Sequence, residues 1–149
     1  MKYTKRRKYK YTVYQQEVIE LDYYTDAESI LADQVLYPLE GEIKLKTKYI
    51  ELDMLNRRLI IKPGYAWDGV SAGFNTKTNK RASLAHDALY QLIREGLLPL
   101  ELKDWADRSF RQICIEDGMC EFRANYSYQA VKRFGAKHCD PANHILTAP

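Results

Sequence analysis

The sequence predicts an α+β fold: an N-terminal antiparallel sheet or set of β-hairpins, then a three-helix C-terminal half. Three observations predict it. Glu42-Ile-Lys-Leu-Lys-Thr47 strictly alternates apolar and charged side chains, the pattern of a strand buried on one face. Two runs of β-favouring residues, Tyr49 to Met54 and Arg58 to Lys62, flank a turn at Leu55-Asn56 and read as a strand pair. From Lys80 onward the apolar spacing becomes helical, and Gly96, Gly118 and Gly135 stand where helix stops are expected.

In chain order, Tyr9 to Leu21 reads as a strand, with a break near Gln15-Gln16. Thr25 to Asp33 reads as a short helix, capped by Thr25 or Asp26, with Ala27, Ile30 and Leu31 facing inward. The alternating strand and the strand pair follow, and Pro63-Gly64 stops the sheet. Gly64 to Asn79 is a Gly-rich loop. The first helix runs from about Asn79 or Lys80 to Glu95. The second starts after Pro99 and runs to about Asp117, and the third spans Glu121 to Phe134. Short connections predict antiparallel neighbours. The expected organisation is one domain over 1–149: a β-rich half 1–63, the Gly-rich loop 64–79, a helical half 80–135 and an irregular tail 136–149.

Composition narrows the class. Apolar residues make up 46% and charged residues 29% of 149, ordinary for a globular chain with a real core. No apolar run approaches the roughly 20 residues of a membrane span, and the charged N-terminus lacks the apolar stretch of a signal peptide. The three cysteines, Cys114, Cys120 and Cys139, fit no metal spacing and read as free thiols in a reducing compartment. The net charge of +3 is uneven: Lys2, Lys5, Arg6, Arg7, Lys8 and Lys10 crowd the first ten residues. Such a cluster reads first as a solvated tail or edge strand. Lys132, Arg133 and Lys137 add basic character, but no DNA-binding signature accompanies them, so specific nucleic-acid readout is not expected.

The chemistry concentrates in Arg81-Ala-Ser-Leu-Ala-His-Asp-Ala-Leu-Tyr90 and Trp105-Ala-Asp-Arg-Ser-Phe110. Helical spacing stacks His86, Tyr90 and Ile93 in one row beside the apolar stripe, with Asp87 on the other side of His86. On the next helix Asp107 borders the stripe of Leu102, Trp105, Ala106, Phe110 and Ile113. If the stripes face each other antiparallel, His86 meets Asp107. An Asp accepting one ring N–H fixes the tautomer and frees the other nitrogen as a base. The same residues equally make a buried polar pin that sets helix register. Asp68 and Ser71 either line a cleft and hold a metal with Asp87, or serve turn chemistry around Gly69. Trp67 is read as a core residue. His138 and His144 beside Cys139 and Asp140 lack metal-ligand spacing.

Two resemblances follow from these residues. The order Trp67-Asp-Gly-Val-Ser71, Ala85-His-Asp-Ala-Leu-Tyr90, Ala106-Asp-Arg-Ser-Phe110 and Arg123 to Gly135 resembles the phage-associated family designated domain of unknown function 1353. Ala72-Gly73 stands where that family carries an apolar residue and Pro. The resemblance implies a phage or prophage origin, residence in the host cytoplasm or the virion, and partners among other phage structural proteins or further copies of the chain. Its implied role is a tail, neck or capsid-associated component, or an assembly protein, with a His–Asp polar centre.

The second resemblance is to secreted phospholipase A2, which places His-Asp-x-x-Tyr on one helix, as His86, Asp87 and Tyr90 stand here, and an Asp on the following helix, comparable with Asp107. This likeness implies a calcium-dependent hydrolase of lipid esters acting at a membrane surface. His86 would be the base, Asp107 its orienter beside Tyr90, and Asp87 with the loop around Asp68 and Gly69 the calcium site. The disulfide cysteines of that family are absent here, and Leu84 and Leu89 stand in their neighbourhood.

Overall fold

In the computed structural model, two antiparallel sheets carry the N-terminal half and three helices the C-terminal half. The structure describes residues 3–4, 11–21, 44–53, 56–69 and 76–135. The short helix expected at Thr25 to Asp33 lies outside them, as do the basic cluster of the first ten residues, Ser71, Gly73, and the tail with His138, Cys139 and His144.

Strands β1 (Tyr3–Thr4), β2 (Tyr11–Val13) and β7 (Ala66–Trp67) form one sheet in the order β1-β2-β7. Strands β3 (Glu17–Glu20), β4 (Lys44–Lys46), β5 (Ile50–Asp53) and β6 (Arg58–Ile61) form the other, in the order β3-β6-β5-β4. In the larger sheet, register places Leu45 opposite Leu52, Leu52 opposite Leu59, and Leu59 opposite Ile19, so one apolar row crosses all four strands. Cross-strand contact of such side chains is the unit of sheet stability. The row and the neighbouring pair Ile50 and Ile61 feed the core, where Ile19, Leu52 and Leu59 are fully buried.

Two strand expectations are corrected. Tyr9 to Leu21 is not one interrupted strand: β2 and β3 belong to different sheets, and the chain changes sheet across Tyr14 to Gln16. The segment 64–79 is not all loop. Gly64 turns the chain at φ 100°, and Ala66–Trp67 then pairs with β2, Tyr11 opposite Trp67. A two-residue strand is too short to carry a periodic signal. The hairpin turn between β5 and β6 falls between Asp53 and Arg58, which pair across it, in agreement with the turn expected at Leu55-Asn56. Asp53 accepts bonds from the Asn56 backbone N–H (3.1 Å) and side-chain amide (2.9 Å), and Arg57 takes the left-handed conformation at φ 56°.

Helix α1 spans Lys80–Arg94, α2 Lys103–Glu116 and α3 Glu121–Phe134. A 3-10 turn, Leu100–Leu102, leads from Pro99 into α2. Gly96 and Gly118 adopt positive φ (77° and 100°) at the first two stops. The Leu97 N–H then reaches the Leu92 carbonyl, and the Met119 N–H the Cys114 carbonyl, closing orphan carbonyls as glycine-terminated helices do. The helices run antiparallel. Arg81 at the start of α1 bonds Asp117 just past the end of α2, and Lys103 at the start of α2 bonds the Lys132 carbonyl near the end of α3.

Helix α1 is buried almost all round rather than along one stripe, and His86, expected at the border of the buried face, lies inside at 6% exposure. One cluster of buried apolar side chains takes in Trp67 and Leu59 from the strands, Leu84 and Leu92 from α1, and Phe110 from α2. No helix among the described residues is long and apolar enough to cross a membrane.

Candidate functional site

The helical register brings together the residues singled out in the sequence. Asp107, completely buried, accepts on Oδ1 from His86 Nε2 (2.7 Å) and from the Tyr90 hydroxyl (2.5 Å). The Lys103 ammonium donates to Oδ2 at 2.8 Å and, on its far side, to the Lys132 carbonyl at 3.1 Å. His86 and Tyr90 share α1, four residues apart, while Asp107 and Lys103 share α2 at the same spacing. Two helices therefore meet at one carboxylate, and Lys103 links it to the third through the Lys132 carbonyl. Burial alone would raise the Asp107 carboxyl. The hydrogen bond and charge of His86, with the bonds from Lys103 and Tyr90, outweigh that and hold it below the ordinary carboxylate range.

An ionised carboxylate has no proton to give, so the His86–Asp107 bond requires a proton on Nε2. In the neutral ring Nδ1 then carries the lone pair. The ring is clamped between Tyr90, 3.9 Å between centroids, and the edge of Phe110, 5.4 Å. Nδ1 lies 4.0 Å from Asp87 Oδ1, outside direct hydrogen-bond reach, and 8% of the His86 side-chain surface remains exposed.

Asp87 is the unusual group. Burial pushes its carboxyl up to about 8; the charge of Asp68 adds to the shift and that of Arg94 opposes it. Its side chain nevertheless keeps 34% of its exposure, so the carboxyl is crowded by protein on most sides and open on one. Asp68 reaches it from the residue after β7, whose Trp67 indole N–H donates to Ser83 Oγ (3.1 Å) one helical turn before Asp87. That bond ties the Gly-rich segment to α1. Gly69, buried at φ 80°, follows Asp68 in a conformation that favours glycine.

Trp67 is a buried core residue, as expected. Cys114 is sealed, and burial pushes its thiol up to about 12, which leaves it inert as a nucleophile. Two participants escaped the sequence reading. One is Lys103, for which the signal was its i,i+4 relation to Asp107. The other is Gly135, read only as a helix stop. It lies against Tyr90: a Cβ there would stand 2.7 Å from Tyr90 Cε2.

The chain matches no known family, no curated protein and no solved structure.

Proposed function

We propose that this protein is a hydrolase in which His86 is the general base, acting on a carboxylic ester of a lipid. The observation that carries this reading is the pairing of a tautomer-fixed His86 with the crowded carboxyl of Asp87. Burying the Asp87 carboxyl, with the charge of Asp68 nearby, costs stability above neutral pH, and strongly perturbed groups of that kind cluster at functional sites.

On this reading His86 Nδ1 takes a proton from water as the water oxygen attacks the ester carbonyl carbon; the tetrahedral intermediate then collapses, the ester C–O bond breaks, and the imidazolium returns the proton to the leaving alcohol. Asp107 keeps the ring aimed through Nε2 and stabilises the imidazolium that forms. Tyr90 and Lys103 fix Asp107 in turn. The residues present fit a hard divalent cation such as calcium in part. Asp87 and Asp68 would supply carboxylate oxygens, and bound positive charge would offset the burial that raises Asp87 and the smaller repulsion from Asp68. No trio of His, Cys, Asp or Glu side chains converges among the described residues, so main-chain carbonyls such as that of Gly69 would complete the shell. A cation held there supplies electrostatic stabilisation of the developing oxyanion.

The test is release of fatty acid from phosphatidylcholine vesicles, with calcium and with chelator. Calcium-dependent release is expected, falling about 100-fold or more in His86→Gln, as for loss of a general base. No release by the wild-type protein above the vesicle blank, with calcium present, overturns the reading.

A second reading has its own support. Asp107 is sealed and has a donor for each oxygen, as a pin fastening two helices requires. The protein would then be a phage virion or assembly component whose polar centre serves the fold alone. His86→Gln would lower the melting temperature and change no activity.

A further inference from the structure

We propose that Lys103 is a positioning residue for His86: its ammonium keeps Asp107 a pure acceptor and so holds the ring in the tautomer with a free Nδ1. The catalytic consequence rests on the base role proposed above; the tautomer does not.

The surroundings of Asp107 support this. It is completely buried, and among the described residues the formal positive charge bonded to it is Lys103, at 2.8 Å. His86 and the Tyr90 hydroxyl supply hydrogen bonds without obligate charge. A buried carboxylate stripped of its counter-charge tends to take up a proton instead. Protonated Asp107 becomes a donor as well as an acceptor. The Nε2 proton then passes to Asp107, whose O–H donates back to Nε2, and Nδ1 takes one proton from solvent, so the neutral ring carries its proton on Nδ1. That nitrogen no longer has a lone pair with which to deprotonate water. Lys103 therefore adds to His86 in keeping Asp107 ionised, and so bears on which ring nitrogen can act, although Lys103 touches neither the ring nor the water.

Lys103 is itself held for this task. From the start of α2 its ammonium reaches the C-terminal end of α3, where the Lys132 carbonyl accepts from it at 3.1 Å and the helix dipole favours a cation. Its ammonium also stands 5.8 Å from the Tyr90 ring centroid, on the residue that shares Asp107 Oδ1. The side chain is only 20% exposed, so this geometry is built into the packing rather than sampled at the surface.

The experiment compares wild type, Lys103→Arg, Lys103→Gln and Lys103→Met. The readout is the 15N signature of the His86 ring nitrogens at one neutral pH, with thermal melts and, for the vesicle assay, kcat and KM. Wild type and Lys103→Arg are expected to show a lone-pair Nδ1 and a protonated Nε2. Lys103→Gln can still donate to Oδ2 but carries no charge, and it is expected to move the proton to Nδ1, as is Lys103→Met. In the vesicle assay kcat should fall about tenfold or more in the two neutral variants, with KM little changed. A folded Lys103→Gln protein whose ring keeps the wild-type signature overturns the proposal, even if its melting temperature falls. Because the 15N readout needs no turnover, a wild-type protein without hydrolase activity overturns the hydrolase reading and leaves the tautomer inference to be decided by the spectra.

Discussion

Replacing Asp107 with Asn is the most searching perturbation of this fold. The carboxylate offers both oxygens: Oδ1 serves His86 and Tyr90, and Oδ2 serves Lys103. Asn offers one oxygen and one NH2 group. If its oxygen faces His86 and Tyr90, the NH2 group points at an ammonium. If it turns the other way, two ring-bearing donors in the core lose their acceptor. The first orientation costs less, because Lys103 is 20% exposed and retains the Lys132 carbonyl, whereas His86 is nearly sealed. Breaking a buried charge pair costs about 3–5 kcal/mol, and the partial escape of Lys103 to water places this case near the lower figure. At about 2–4 °C per kcal/mol for a chain of this size, the melting temperature should fall by about 6–12 °C. Circular dichroism melts at neutral pH measure it. A fall of less than about 2 °C would show that Asp107 is not the buried junction of two helices and would refute the reasoning.

Gly135→Ala should destabilise through overlap alone, since φ is −84° and needs no glycine. The new methyl would stand 2.5 Å from the Val131 carbonyl oxygen and 2.7 Å from Tyr90 Cε2, an overpacking cost of about 1–3 kcal/mol in urea unfolding; an unchanged midpoint would contradict the close approach. Asp87→Asn should alter the pH dependence of stability. Asp87 binds its proton more tightly folded, at about 8, than unfolded, near 3.8, so its favourable contribution is complete below the lower value and is lost as pH rises through the higher one. The Asn variant should therefore gain on wild type across that window and run parallel to it above; a constant gap in pH-dependent urea titrations would contradict this.

Much of this was legible because helical periodicity is rigid. Once Leu84, Ala88 and Leu92 fix the face of α1, and Trp105 and Phe110 that of α2, His86 and Asp107 have few places to go. The glycines after each helix placed the ends to within a residue or two. What escaped depends on contacts distant in sequence. Tyr14 to Gln16 carries neither Gly nor Pro, so nothing local announces that the chain changes sheet there. β7 exists because β2 supplies its partners. Lys103 drew no reading from sequence because its role depends on Asp107 being sealed, and Gly135 read only as a helix stop although it lies against Tyr90.

The indole of Trp67 has a consequence for dissecting the molecule. It packs at a tilt against Tyr11, with 5.3 Å between ring centroids; the Tyr11 hydroxyl receives a bond from Lys80, and the indole is itself bonded to Ser83. The natural place to cut, between the last strand and the first helix, thus runs through the interior rather than along a seam. A fragment beginning at residue 80 would leave Ser83 without its indole partner and open the flank of α1 to water. It should be recovered as an aggregating species, and not as a miniature of the helical half.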